Sequence, residues 1–131
     1  MAEFILLSLL FIKHHILDFE YQPPFQWQNK GTYGHIGGII HSGQHILGTI
    51  LVLLVAVFLL GFNLSLYSAL AILIFEFVMH YHMDWFKMWY GKKKEMNPYQ
   101  PIFYKWLGRD QLVHNMTYVI IFAYCCYLQG K

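Results

Sequence analysis

Long apolar stretches alternate with short polar segments along the 131 residues of this chain. The two strongest stretches, residues 46–62 and 64–79, contain Glu76 as their single charged residue. Each approaches the length of about 20 apolar residues that crosses a bilayer as a helix, and the flanking residues complete the crossing. Weaker apolar stretches lie at residues 4–19 and 112–128. The pattern predicts an all-α membrane protein.

The breaks between the stretches predict how the helices are connected. Pro23 and Pro24 cannot continue a helix and so end the first one. Residues 61–63 allow only a short turn, which makes the two strongest helices antiparallel neighbours. Residues 91–101 form a polar connector before the last helix. We predict a four-helix transmembrane bundle with up-down-up-down connections, forming one domain over residues 1–131, with helices at residues 2–19, 38–62, 64–89 and 108–128.

The composition agrees with a membrane protein. Hydrophobic residues make up 57% of the chain and charged residues only 12%, about half the share that is typical of soluble domains. The first stretch follows Met1, Ala2 and Glu3 rather than the basic segment of a cleaved signal peptide. We therefore expect it to remain as the first helix.

Histidine and aspartate residues recur four positions apart near one end of each apolar stretch. Residues at this spacing share one face of a helix and can grip one ion, as the two histidines of an HExxH motif do. Up-and-down connections would bring all four pairs to the same depth. The predicted metal ligands are His14, Asp18, His41, His45, His80, Asp84, Asp110 and His114.

Burial of three aspartates without cations would cost several kcal/mol for each group. Eight ligands suffice for two divalent ions, and mixed histidine and aspartate ligation suits Zn, Mn or Fe. A hydrogen-bond network without metal is the alternative. Glu76 is expected to orient a histidine rather than to ligate. His15 and His82 are expected to lie beyond the ligands or at the membrane interface, and His35 could cap the site.

These motifs resemble those of a family of small membrane proteins, the domain-of-unknown-function 3307 family. The resemblance covers nearly the whole chain and rests on four elements in the family's order. They are His14-x-x-x-Asp18-Phe19-x-x-Gln22 with Lys30, His41-x-x-x-His45, His80-x-x-x-Asp84-x-x-Lys87, and Asp110-Gln111-x-x-His114. The resemblance implies a helical membrane protein of bacteria and their phages. It implies no particular activity.

Cations gather on the loops that follow the first and third helices. They are Lys30, Lys87, Lys92, Lys93, Lys94, Lys105 and Arg109, whereas the opposite side carries Lys131 beyond the apolar spans. By the positive-inside rule these loops face the cytoplasm and both termini face away from it. We expect a multi-pass protein of the bacterial inner membrane with the metal site near its cytoplasmic end. The lysines alternatively serve only as topology signals and contacts for anionic lipids.

The function predicted from these residues is metal-dependent hydrolysis of an anionic, phosphate-bearing substrate, either a small molecule or a lipid headgroup. Two metal ions can activate water at neutral pH and hold the leaving oxygen. Lys87 and Arg109, with Lys30, are expected to hold the anion, and Asp110 to orient the attacking water. The lipid bilayer is a further expected partner, nucleic acid is not, and a homo-oligomer stays open.

Three alternatives remain. A metal transporter or sensor would need ligands that continue to the far side, and the apolar stretches offer almost none. A non-enzymatic phage or bacterial membrane protein would use the metal for structure, although structural zinc takes only four ligands. A di-iron oxidase is less favoured, because bundle di-iron sites use glutamates with Glu-x-x-His and the carboxylates here are aspartates.

Overall fold

The computed structural model describes residues 1–130 and shows an all-helical protein, with no β-strand among those residues. Lys131, which the sequence places at the end opposite the other cations, lies outside the described residues. The elements in chain order are α1 (Ala2–His15), a π-helical segment (Ile16–Glu20), α2 (Pro24–Trp27), α3 (Ile36–Phe58), α4 (Leu66–Lys93) and α5 (Pro101–Gln129).

The starts of the helices are explained by the residues found there. Two helices begin after a side chain that accepts a hydrogen bond from a free backbone N–H group, and one begins with a proline, which has no N–H. His35 precedes α3, and its Nδ1 accepts a hydrogen bond of 3.0 Å from the Gly37 N–H. Ser65 precedes α4, and its Oγ accepts from the Ser68 N–H at 3.1 Å. Pro101 occupies the first turn of α5, where its missing N–H removes no helical hydrogen bond.

The observed helices begin and end at different residues from the predicted ones. The predicted connector at residues 91–101 is shorter in the structure, because α4 continues to Lys93 and α5 already begins at Pro101. Pro23 and Pro24 follow the end of the first helix as predicted, and they also begin the short helix α2, which was not predicted. The first helix does not remain α-helical to Phe19, since its last residues form the π-helical segment.

The four longer helices pack through an apolar core. α1 contacts α3 and α5, and α4 also contacts both α3 and α5. The connection after α3 reaches the end of α5, where the Asn63 N–H donates to Gln129 Oε1 at 2.7 Å. The buried core residues are Leu6, Leu10, Val52, Leu53, Ala56, Phe62, Ile72, Tyr118, Ile121 and Cys125.

Large apolar side chains also cover the outside of the long helices. Leu51 is 66% exposed, Ile74 64% and Ile120 51%. The three helices α3, α4 and α5 are long and apolar enough to cross a membrane. α1 is not among them because its 14 residues are too few for a typical crossing. The exposed apolar surface is therefore consistent with a membrane protein.

Candidate metal centre

Histidines from α3 and α4 meet Asp18 of the π-helical segment at the centre of the structure. Oδ1 of Asp18 lies 2.9 Å from Nε2 of His41, 3.2 Å from Nε2 of His45 and 3.6 Å from Nε2 of His80. Potential ligand atoms of these four residues all lie within 4.8 Å of one another. The three histidines are at most 1% exposed. This set is the first candidate metal group.

A second group shares His80 with the first. Potential ligand atoms of His80, Asp84 and His114 also lie within 4.8 Å of one another. Nε2 of His80 lies 3.3 Å from Oδ2 of Asp84, and Nε2 of His114 lies 3.6 Å from Oδ1 of Asp84. Nε2 of His41 is 3.1 Å from Oδ2 of Asp84 and links the two groups. The two candidate metal groups are therefore adjacent.

The distances between these atoms fit metal coordination. Ligand atoms at about 2.0–2.2 Å from one tetrahedral ion lie about 3.3–3.6 Å apart. The contacts of Asp18 and Asp84 with the histidines span 2.9–3.6 Å. Five buried atoms in these contacts form no hydrogen bond of ordinary geometry: Asp18 Oδ1, His45 Nε2, Asp84 Oδ1, Asp84 Oδ2 and His114 Nε2. Unpaired buried polar atoms are costly, and bound cations would satisfy them.

The local fold explains how Asp18 reaches this site. The Tyr21 N–H donates to the Ile16 carbonyl at 2.8 Å, a bond that spans five residues rather than four. π-helical turns are rare and occur frequently at functional sites. The neighbouring residues of this segment are exposed, but the wider turn directs the Asp18 side chain inward, so that it is only 5% exposed.

His14 and Asp110 lie beside the two groups rather than within them. Nε2 of His14 is 3.1 Å from Oε1 of Gln111 and 3.6 Å from Oδ2 of Asp18. Oδ2 of Asp110 accepts hydrogen bonds from Lys87 at 2.7 Å and from Gln111 at 3.1 Å, while its Oδ1 lies 3.3 Å from His114. All eight residues predicted as ligands therefore gather, and six of them form the two groups.

Two lysines partly neutralise the cluster. Nζ of Lys30 lies 3.1 Å from Oδ1 of Asp84, and Lys87 pairs with Asp110. Lys30 is only 5% exposed, so its charge is held close to the carboxylate. Three aspartates thus face two ammonium groups, which leaves one excess negative charge when the imidazoles are neutral. One protonated imidazole or one bound cation would offset this charge.

A second polar network lies next to His45, toward the apolar core. Lys13 Nζ forms a buried ion pair with Glu76 Oε1 and donates to the Tyr118 hydroxyl at 3.0 Å. The same hydroxyl donates to Glu76 at 3.0 Å and lies 3.4 Å from Nδ1 of His45. Gly48 makes room for this arrangement, since a Cβ there would lie 2.7 Å from Lys13 Cδ.

The sequence pattern predicts that Glu76 orients a histidine, but it does not predict the contacts of Glu76 with Lys13 and Tyr118. A signal was present, because Lys13 and Glu76 are opposite charges within two apolar stretches. Ionisable residues in such segments commonly pair with one another. Gln22 was also given no role, yet its amide nitrogen lies 2.9 Å from Nε2 of His41.

An open cavity of about 550 Å³ lies beside the centre. Asp18, Gln22 and Gln111 form the part of its wall that contacts the cluster. Lys30 and Lys87 also line it, and Lys92 lies at its exposed side. The first candidate metal group therefore borders, through Asp18, a space that is large enough for a small molecule.

Other predicted residues lie outside the centre. Arg109 is exposed, with its guanidinium 4.9 Å from the centre of the Trp106 ring, and it does not line the cavity. His15 is exposed and lies 3.5 Å from Glu20, and His82 bonds to the Tyr33 hydroxyl at 3.2 Å. His35 caps α3 instead of the site.

A family comparison covers almost all of the chain. The sequence model of the family described as "Protein of unknown function (DUF3307)" matches residues 6–130. The chain belongs to the DUF3307 family. No curated protein and no solved structure matches the chain.

The residues that resemble the DUF3307 motifs come together in the structure. Besides the eight histidines and aspartates, four polar residues of these motifs contact the cluster. Lys30 and Lys87 pair with aspartates, while Gln22 and Gln111 approach His41 and His14. The four separate elements of the resemblance thus describe one site.

Proposed function

We propose that this protein is a membrane-embedded, metal-dependent hydrolase that acts on an anionic, phosphate-bearing substrate. The observation that carries the proposal is that Asp18, a member of the first buried group, lines a cavity together with Lys30, Lys87 and Lys92. Ligands for a cation and donors for an anion therefore lie next to each other. Metal-dependent phosphoester hydrolases need both.

The metal would be held by the residues of the two candidate groups: Asp18, His41, His45, His80, Asp84 and His114. Two divalent ions would polarise the phosphoryl oxygens, activate water and stabilise the charge that develops during hydrolysis. Zn, Mn and Fe suit this donor set. These six residues are more than the four ligands that a single structural zinc ion requires.

The lysines of the cavity would bind the substrate phosphate. An ammonium group has three N–H donors. Lys87 donates one of them to Asp110, and Lys30 lies in an ion pair with Asp84. Their remaining donors can reach an anion in the cavity that both residues line. Charge-assisted hydrogen bonds of this kind are stronger than those between neutral groups.

Asp110 would orient the attacking water. Lys87 and Gln111 hold Oδ2 of Asp110, and Oδ1 has no hydrogen-bond partner. In the reaction the water oxygen forms a bond to phosphorus and the bond from phosphorus to the ester oxygen breaks. The alcohol leaves with a proton from that water, and inorganic phosphate is released.

We further propose a four-helix, up-down-up-down bundle in the bacterial inner membrane, with the metal centre near the cytoplasmic face. The apolar exteriors of α3, α4 and α5 support the membrane setting. The exposed lysines at residues 92–94, close to the cavity, support a cytoplasmic orientation for this end. Both termini would then face away from the cytoplasm.

The core beneath the centre argues against metal transport. Beyond the Lys13–Glu76–Tyr118 network it consists mainly of apolar residues such as Leu6, Leu10 and Ile121. Within residues 1–130, no further group of histidine, cysteine and acidic ligands continues toward the opposite end. A transported ion would have no ligands for the rest of its path.

Phosphate release from a panel of phosphoesters tests the proposal. The protein would be purified in detergent, loaded separately with Zn, Mn or Fe, and compared with His45→Ala, which removes a buried ligand. His82→Ala is the matched control because His82 is exposed and lies outside the metal groups. We expect hydrolysis by the parent protein and His82→Ala but not by His45→Ala. Absence of hydrolysis of every ester by the loaded parent protein would contradict the proposal.

A further inference from the structure

Both polar and apolar residues line the cavity. Lys30 and Lys87 line it together with Asp18, Gln22 and Gln111, which belong to or contact the candidate metal groups. The apolar lining includes Phe19, which follows α1, and Phe103, Trp106 and Leu107 of α5. A lining of this kind can contact an alkyl chain as well as a phosphate group.

Aromatic residues concentrate around this cavity. Trp27 and Trp106 line it, and Trp106 packs against Tyr90 with ring centres 4.5 Å apart. Trp85 and Trp89 of α4 stack on each other nearby, at 5.9 Å. The four residues are all the tryptophans of the chain. Tryptophan is enriched where a membrane protein meets the lipid headgroups, so the cavity lies at that level.

The exposed edge of the cavity adds a positive charge. Lys92 lines the cavity and is exposed, and within residues 1–130 its ammonium forms no ion pair. Lys30 and Lys87 lie deeper, beside the aspartates. A phosphate that enters from the headgroup region would therefore meet Lys92 first and the deeper lysines next.

We infer that the substrate is a lipid phosphate, an amphiphile with a terminal phosphate monoester on long alkyl chains. Its phosphate would bind between Lys92 and the two deeper lysines. The first part of its alkyl chain would lie along Phe103, Trp106 and Leu107, and the rest would remain in the bilayer. This inference rests on the proposed function and names the substrate class of the same site.

The volume of the cavity agrees with this division. About 550 Å³ lies within the range of about 300–1,000 Å³ for small-molecule sites, which is enough for a headgroup and the start of a chain. The alkyl chains hold a lipid phosphate in the detergent or bilayer beside the cavity, whereas a soluble ester with the same phosphate has no such anchor. Chain length is therefore the variable that separates a lipid from a soluble substrate.

Binding measurements with three probes test the inference without relying on turnover. Metal-loaded protein in detergent would be titrated with dioleoyl phosphatidic acid, with glycerol 3-phosphate and with dioleoylglycerol, and bound ligand would be detected by native mass spectrometry. The second probe keeps the phosphate and lacks the chains, and the third keeps the chains and lacks the phosphate. We expect phosphatidic acid to bind at least tenfold more tightly than either.

Two matched pairs of variants connect this binding to the cavity. Lys92→Gln should weaken phosphatidic acid binding at least fivefold, whereas Lys94→Gln, also exposed but outside the cavity, should change it less than twofold. Trp106→Ala should weaken phosphatidic acid binding without changing that of glycerol 3-phosphate. Trp89→Ala removes a tryptophan outside the cavity lining and should leave both unchanged.

The outcomes separate the inference from the proposed function. Glycerol 3-phosphate binding as tightly as phosphatidic acid would overturn the lipid assignment, and so would equal binding of dioleoylglycerol. Hydrolysis of both esters with equal kcat/KM would support the proposed function and overturn the inference. Tight, Lys92-dependent binding of phosphatidic acid without phosphate release would support the lipid site and contradict the hydrolase.

Discussion

His41 and His80 approach each other from different helices, with their Nε2 atoms 3.1 Å apart and both side chains at most 1% exposed. His80 belongs to both candidate metal groups, and His41 contacts the aspartate of each. These two side chains therefore join the groups into one centre. A substitution in one group should therefore also change metal binding by the other.

Replacement of Asp84 should affect both metal content and stability. Asp84→Ala removes the carboxylate of the second group, which also contacts His41 of the first, and leaves the ammonium of buried Lys30 without its partner. We expect loss of metal and a decrease of about 3–5 kcal/mol in the free energy of unfolding, the usual cost of breaking a buried pair. Metal analysis and thermal unfolding in detergent would measure both. A variant that keeps full metal content would contradict the role of Asp84.

The buried Lys13–Glu76 pair should show strong coupling. Lys13→Met leaves the Glu76 carboxylate buried without its ion-pair partner and should destabilise the protein by about 3–5 kcal/mol. Adding Glu76→Gln removes that unpaired charge, so the double variant should be more stable than Lys13→Met alone. Thermal unfolding of the two single variants and the double variant completes the cycle. Additive effects would show that the two charges do not interact.

Close packing at Gly48 gives a conservative test of the same network. A methyl group there would lie 2.7–2.8 Å from the Lys13 side chain, whereas one at Gly43, also in α3, meets nothing within 4 Å. Gly48→Ala should therefore lower stability by about 1–3 kcal/mol. Gly43→Ala should be neutral or raise it by up to about 1 kcal/mol. Equal unfolding temperatures for both variants would argue against the packing of Lys13 on α3.

Lys87 and Arg109 make different contacts although both were predicted to hold the anion. Lys87 lines the cavity and pairs with Asp110, whereas Arg109 is exposed over Trp106. Lys87→Ala should lower kcat/KM at least a hundredfold, and Arg109→Ala should lower it much less. Phosphate release at fixed metal loading would make the comparison. A larger loss of kcat/KM in Arg109→Ala than in Lys87→Ala would support the prediction that Arg109 holds the anion.

The spacing of four residues was sufficient to predict which histidines and aspartates meet, because it fixes a shared helix face. It could not predict the contacts of Arg109. Adjacent residues differ by about 100° around a helix, so the position next to Asp110 leaves its direction open. The π-helical segment at Asp18 was likewise unpredictable, since it depends on how the end of the first helix packs. The Lys13–Glu76–Tyr118 network joins three helices, and their relative rotation is not contained in any single apolar pattern.

The number of metal ions bound per chain shows whether the histidine and aspartate groups form a metal centre. Protein purified in detergent, equilibrated with Zn, Mn or Fe and freed of excess metal would be analysed by elemental mass spectrometry with the protein concentration measured in the same sample. We predict two ions per chain in the parent protein and in His82→Ala, and their loss in His45→Ala. A folded parent protein that binds no metal under any of these conditions would contradict the account.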